Sequence, residues 1–329
     1  MIRGAVGIGA AALAAFAVGA SAEEERTRWL DAHERYGVAL NFGNDVIGDY
    51  GDKFLTATGF GLLSIPDRSG FLDRSLGAPG VFYGVAGLRF YTPLEKETDT
   101  PPPGDRPYAA YGFLGFGAAV ARDAGDGVDQ DRLQVEIGLT GPELYADEIQ
   151  NGLHDVIGSE DVNGWDTQVA TEGYVTLEAE RAWRRFVPFD YRELEVAPFV
   201  GGALGTAETS ATVGVDFAWG PDLGRDLFWR DRATGVRSEL AAAPTLEPTW
   251  RLVGGADVKF VAHDATLDGG FFNDGRDVDK TTARWRVRAG AEARWRVWRL
   301  AYDLSLMGPE FVGQGQPQAV GSLTLGATF

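Results

Sequence analysis

The chain contains no cysteine. Disulfide frameworks, thiolate metal sites and cysteine nucleophiles are therefore excluded outright. It holds three histidines, His33, His154 and His263, so any imidazole chemistry must rest on one of them. Basic residues are in deficit, 30 Lys plus Arg against 48 Asp plus Glu, for a formal charge of −18. Phosphate backbones are bound by clustered excess Lys and Arg, so this balance argues against nucleic acid as a partner. After residue 22, no apolar run approaches the roughly twenty residues a membrane-crossing helix needs.

What is present points elsewhere. Forty-five glycines and 12% aromatics suit a turn-rich all-β chain with aromatic girdles. At the N-terminus, Arg3 precedes an apolar stretch from Ala5 to Gly19. Ala20-Ser21-Ala22 then offers a small-x-small cleavage site ahead of Glu23-Glu24-Glu25. This predicts a cleaved signal peptide over 1–22 and a single exported domain over 23–329.

The clearest pattern in that domain is ARWRVRAGAEARWRV, residues 283–297. Trp285, Val287, Ala289, Ala291, Ala293, Trp295 and Val297 share one strand face; Arg284, Arg286, Arg288, Glu292, Arg294 and Arg296 share the other. So many arginines along one long strand suit the wet lumen of a barrel. The C-terminal GSLTLGATF alternates likewise and ends on Phe329. Strands are expected at 36–45, 55–64, 82–92, 108–119, 131–141, 168–180, 191–205, 208–218, 248–262, 283–294, 296–306 and 318–329. An even count of about twelve fits a single transmembrane antiparallel β-barrel, which leaves no unpaired edge in the bilayer. With both termini periplasmic, the outward connections fall near 46–54, 93–107, 142–167, 206–207, 263–282 and 307–317.

The third of these reads as a short helix. Pro142 suits a first helical turn, Glu143 favours the positive end of the dipole, and Gly158 suits the stop. Gln150 and His154 are four apart and share a face. Histidine can act as a general base on water, yet such pairs are common on surface helices, and spacing leaves both readings open. Asn44, Asp45 and Thr56 gather oxygen donors at a strand rim, the type calcium prefers, and an ordinary Asx turn would look the same. His33 and His263 read as structural or solvated, and the acidic run 263–279 as a solvated loop without calcium-loop spacing.

Five blocks resemble the outer-membrane lipid A deacylase family: VALNFGND (38–45), DKFLTATG (52–59), DRPYAAY (105–111), GLTGPELYADEIQNGLHDVIG (138–158) and GWDTQ (164–168). A weaker one, LEAERAWR (177–184), resembles an aromatic-Glu-Arg strand of that family. The resemblance implies a twelve-stranded outer-membrane barrel, acting as a monomer, that removes the 3-O-linked acyl chain from lipid A of lipopolysaccharide. It implies a site facing the outer leaflet, between the wall and a loop helix, with His154 as the base and Gln150 beside it. Asn44 and Thr56 match rim residues, Asp45 a calcium (Ca2+) ligand, and Asp105 and Arg106 a loop motif near the substrate, where Arg106 would meet a phosphate. Two other readings remain: a non-enzymatic channel or structural barrel, and a phospholipase whose serine, Ser159, is activated by His154.

Overall fold

In a computed structural model, residues 33–48, 53–96, 100–125, 127–158, 161–190, 192–221, 223–224, 226–273 and 275–329 are described. The expected signal peptide lies outside them. Twelve strands close into one antiparallel barrel: β1 (Gly37–Asn44), β2 (Phe54–Pro66), β3 (Gly80–Thr92), β4 (Ala109–Asp123), β5 (Gly127–Thr140), β6 (Glu172–Phe189), β7 (Arg192–Gly205), β8 (Glu208–Gly220), β11 (Thr245–Asp264), β12 (Ala283–Arg296), β13 (Trp298–Met307) and β14 (Gln318–Thr328). The two ends of the chain close the ring, from Gly37 opposite Thr328 to Asn44 opposite Gly321. Every expected strand is found, most within four residues of its expected ends. The exception is the end of β6, which runs nine residues further than expected. No described helix is long and apolar enough to cross a membrane.

Alternation sets the two faces, because successive side chains in a strand point to opposite sides. On β12, Trp285 and Val287 are exposed outward, while Arg284, Arg286, Arg288, Glu292 and Arg294 are buried inward. Arg296 leaves the stripe: it adopts a positive φ of 53° at the turn into β13 and is exposed.

The lumen differs from expectation. Between β8 and β11, on the end of the barrel that carries both termini, the chain turns inside and forms a hairpin of β9 (Leu227–Arg230) and β10 (Arg237–Ala241). Trp229 and Leu240 of this hairpin are buried, Trp229 edge-on to Phe60 of the wall at 4.7 Å. Its charged tip meets the wall at every side. Asp231 accepts from Arg89 at 2.7 Å, Arg230 pairs with Asp216 (2.6 Å) and Glu180 (2.8 Å), and Arg232 binds Glu136 (3.0 Å), Glu178 and Glu208 (3.3 Å). Arg286 donates to Asp257 at 2.9 Å and to the carbonyls of Arg232 and Ala233. The arginines of β12 thus line a filled interior rather than a wet one. Each desolvated charge is tolerated because several opposite charges and carbonyls surround it.

The run 263–279 is also more anchored than a solvated loop. Asp264 is buried against Arg284 at 2.8 Å, and Asp268 bonds His263 (3.1 Å) and Lys280 (2.8 Å). His263 is structural, as expected, with Nε2 also 2.9 Å from the Thr206 carbonyl.

Candidate active site

At the end of the barrel opposite the termini, β1 stops at Asn44, whose Oδ1 accepts from the Val46 N–H at 2.8 Å in an Asx turn. Asp45 is fully buried; its Oδ2 accepts from the Lys53 N–H at 2.5 Å and its own N–H donates to the Thr56 carbonyl at 3.2 Å. One carboxylate therefore ties both sides of the β1–β2 connection. Thr56 is the extra residue of a β-bulge, since Leu55 faces Tyr91 while Ala57 already faces Phe90. Bulges re-aim a side chain, and the Thr56 hydroxyl lies 2.5 Å from that of Thr92. Phe54 at φ 64° is held by burial beside Phe311, ring centroids 5.7 Å apart. Such a conformation costs roughly 1–3 kcal/mol and tends to sit at functional rims.

The 141–171 connection supplies the second half. Gly141 has φ 111°, and a Cβ there would lie 2.6–2.8 Å from Thr171, which explains the glycine. Pro142–Leu144 then forms a 3-10 turn rather than the first turn of the helix. Tyr145, left-handed at φ 53°, separates it from α2 (Ala146–Ile157), which Gly158 ends by donating to the His154 carbonyl at 2.8 Å. A shorter helix, α1 (Phe71–Leu76), lies in the β2–β3 connection at the other end.

The polarity of α2 is inverted. Among its described side chains Ala146, Gln150 and His154, four residues apart, are buried, while Ile149, Leu153 and the preceding Tyr145 are exposed. The expected pair is therefore turned inward, against the outer surface of the barrel wall. Trp165 holds it there: its Nε1 donates to Gln150 Oε1 at 3.0 Å, and its ring packs on Phe90 (6.0 Å) and Tyr108 (5.2 Å). A Cβ on Gly164 would lie 2.2 Å from the Tyr108 ring, so the glycine before Trp165 is a steric requirement. Asn151 clamps the same helix by exchanging two hydrogen bonds with the Val162 backbone (2.9 and 3.1 Å) and donating to Asp147 at 2.6 Å. Sequence reasoning overlooked Asn151; its only signal was a polar residue beside the Gln-His face.

The two halves lie on adjacent strands. Trp165 touches Phe90 of β3, Phe90 faces Ala57 of β2, and Ala57 faces Asn44 of β1. At about 4.8 Å per strand, this places Asn44 roughly 10 Å from the Phe90 backbone. Asn44, Asp45, Thr56, Gln150 and His154 thus belong to one sector of the rim.

Asp105 and Arg106 sit apart in character. Asp105 accepts from the Glu95 N–H (3.1 Å) and the Arg106 N–H (2.8 Å) and organises its own loop. Arg106 is completely buried, paired with Glu310 at 2.9 Å and stacked over Tyr91 at 4.2 Å. In this structure its guanidinium is engaged by those two side chains and by the Thr266 hydroxyl at 3.3 Å. Ser159 lies outside the described residues.

Asp45, Asn44 and Thr56 offer oxygen groups, suited to a hard cation such as calcium. Among the described residues no group of three or more acidic or histidine side chains forms a ready metal cage. A cation here would draw on the Asp45 carboxylate, with the other positions left to carbonyls, water or substrate.

A twelve-stranded barrel with an apolar outer belt, a filled lumen and a polar cluster built on its outside defines an outer-membrane barrel carrying a rim site. Residues 10–329 match the family described as "Outer membrane protein LpxR", and the chain belongs to that family. Among solved structures it is similar to LpxR from Salmonella typhimurium, with 20% identity, a TM-score of 0.73, and 89% of this chain and 100% of that chain covered. It is also similar to the β domain of the Bordetella autotransporter BrkA, with 11% identity, a TM-score of 0.44, and coverage of 90% and 99%. No curated protein matches it.

Proposed function

We propose that this protein is an outer-membrane hydrolase that removes the 3-O-linked acyl chain of lipid A. The observation that carries the reading is the inverted helix: Gln150 and His154 face the barrel wall while Tyr145, Ile149 and Leu153 face outward. An amphipathic helix on a soluble protein turns its apolar face inward. One that turns it outward suits contact with lipid, and a polar pair beneath it suits a substrate arriving from the membrane. The end bearing the termini and short turns would be periplasmic, so the site would face the outer leaflet.

In this mechanism His154 takes a proton from a water that attacks the ester carbonyl, and returns it to the departing 3-oxygen of lipid A as the acyl C–O bond breaks, leaving a free fatty acid and a 3-hydroxyl. Gln150, steadied by Trp165, positions the imidazole side of the site, and Asn44 and Thr56 complete the polar rim. A calcium ion at Asp45 would supply a positive charge for the developing oxyanion. Arg106 could meet a lipid A phosphate only in competition with Glu310. A channel is disfavoured because the β9–β10 hairpin and its ion pairs occupy the lumen.

Mass spectrometry of lipid A from cells expressing wild type or His154→Ala, with and without EDTA, tests the proposal. The expected result is loss of one acyl mass in wild type only, suppressed by chelation. Removing a general base costs about 10²- to 10⁴-fold in rate. Unchanged lipid A in every sample, with the protein inserted, overturns the reading. Activity lost in both His154→Ala and Ser159→Ala but insensitive to EDTA favours the serine mechanism instead.

A further inference from the structure

The outward wall beneath the rim is not evenly covered. A groove of about 780 Å³ runs over β1–β5 and is roofed by Leu144 of the 3-10 turn. A second, of about 550 Å³, continues it toward the terminal end, and the two share Leu40, Gly61, Ala86 and Leu114. The floor is bare because the outward positions of β2 and β3 are Gly59, Gly61, Ala86 and Gly84, paired Gly59–Leu88, Gly61–Ala86 and Leu63–Gly84. Leu40 and Val38 wall one side; Leu114 and Phe116 wall the other.

Packing does not require these glycines. A Cβ at Gly59 or Gly61 would meet its nearest atom at 3.4 or 3.5 Å, and at Gly84 at 3.9 Å, all ordinary contacts. None of the three has a positive φ. Glycine weakens a strand, and where neither backbone nor neighbour demands it, its usual meaning is close approach of something else. In a lipid-facing wall that something is a hydrocarbon chain, since nothing else fills an apolar groove inside a bilayer.

The upper end fixes which chain. Ala57, on the same outward row as Gly59 and Gly61, faces Asn44 and Phe90. Leu144 both roofs the groove and packs in the cluster of Phe90, Tyr108, Ala146 and Trp165 that seats α2. The groove therefore begins at the foot of the candidate site. From Ala57 to Leu63, the first large outward side chain on β2, is six residues, or roughly 20 Å at about 3.3 Å each. With strands tilted about 40°, that is roughly 15 Å of depth, half of a hydrocarbon core about 30 Å thick. The groove is as deep as one leaflet.

We propose that this furrow is the acyl subsite of the enzyme and gauges the length of the chain it releases. The inference rests on the deacylase reading above and adds the residues that select the substrate. A chain whose ester lies at the rim would descend over Gly59 and Gly61 to Gly84, with Leu63 and Phe116 as its stop.

The test compares wild type, Gly61→Val and Gly84→Val, with Gly173→Val as control, because a Cβ at Gly173 meets nothing within 4 Å and it lies on β6 outside the furrow. Lipid A species with short, medium and long 3-O-acyl chains are supplied in outer-membrane vesicles. Gly84→Val is expected to lower kcat/KM for the long chain alone, by on the order of tenfold. Gly61→Val should lower it for medium and long chains and spare the short one. An active wild type whose length profile is shared by all three variants overturns the furrow and leaves the deacylase reading standing. If wild type releases no chain at all, the deacylase reading fails, and the furrow is judged by binding. An Ala86→Trp reporter should then be quenched saturably by a brominated long-chain lipid A; quenching that only tracks bulk brominated phospholipid, as at Leu177→Trp, overturns it.

Discussion

Replacing Trp165 tests whether the inward-facing helix is what makes the rim a site. The side chain is buried, with its ring on Phe90 and Tyr108 and its Nε1 on Gln150. Burying an aromatic of 150–250 Å² at about 25 cal/mol per Å² corresponds to roughly 4–6 kcal/mol, and measured Trp→Ala losses are about 3–5 kcal/mol. That loss falls on the docking of α2, because the barrel itself is closed by twelve hydrogen-bonded ladders that Trp165 does not join. Against it stand the Asn151 clamp and the Leu144 and Ala146 contacts. Trp165→Ala should therefore free the 141–171 connection while leaving the barrel folded. Trp165→Phe keeps most of the ring packing and removes one hydrogen bond, about 1 kcal/mol, or roughly fivefold in docking. The assay pairs limited proteolysis of that connection with lipid A deacylation and heat-modifiable gel mobility of the barrel. The expected order is wild type, then Phe, then Ala, in both protection and activity, with unchanged barrel mobility. Full protection and activity in Trp165→Ala would falsify the idea that this ring seats the Gln150–His154 face.

Two other outcomes follow from named contacts. Arg232→Ala leaves Glu136, Glu178 and Glu208 gathered around a missing guanidinium. Breaking such a buried set costs on the order of 3–5 kcal/mol, seen as a lower unfolding temperature in detergent; an unchanged transition would show that the hairpin tip contributes little. Asp45→Asn retains shape and removes the carboxylate charge, so calcium stimulation of deacylation should shift to much higher calcium concentration. An unaltered calcium titration would remove Asp45 from the metal site.

The barrel was legible because each strand carries its own evidence. Period-two alternation over many residues, as in β12, defines both strand and face, and an even strand count defines closure. The hairpin β9–β10 was not legible: four- and five-residue strands carry too little period, and many of the charges that hold it lie far away in sequence, as Arg89 does from Asp231 and Glu180 from Arg230. Pro142 misled in detail, since a proline compatible with a first helical turn is equally compatible with a separate 3-10 turn. The burial of Arg106 was hidden for a similar reason, because its partner Glu310 lies in a different connection.

By itself the sequence determined that this protein is an all-β barrel, and that Gln150 and His154 share one side of a helix. Those properties depend on local geometry, the two-residue period of a strand and the 3.6-residue turn of a helix. Only the tertiary structure decided that this polar side faces the wall, that the lumen is filled, and that a bare furrow descends from the rim. Each of these depends on which strands and loops become neighbours, and neighbours far apart in sequence are chosen by barrel closure rather than by any local pattern.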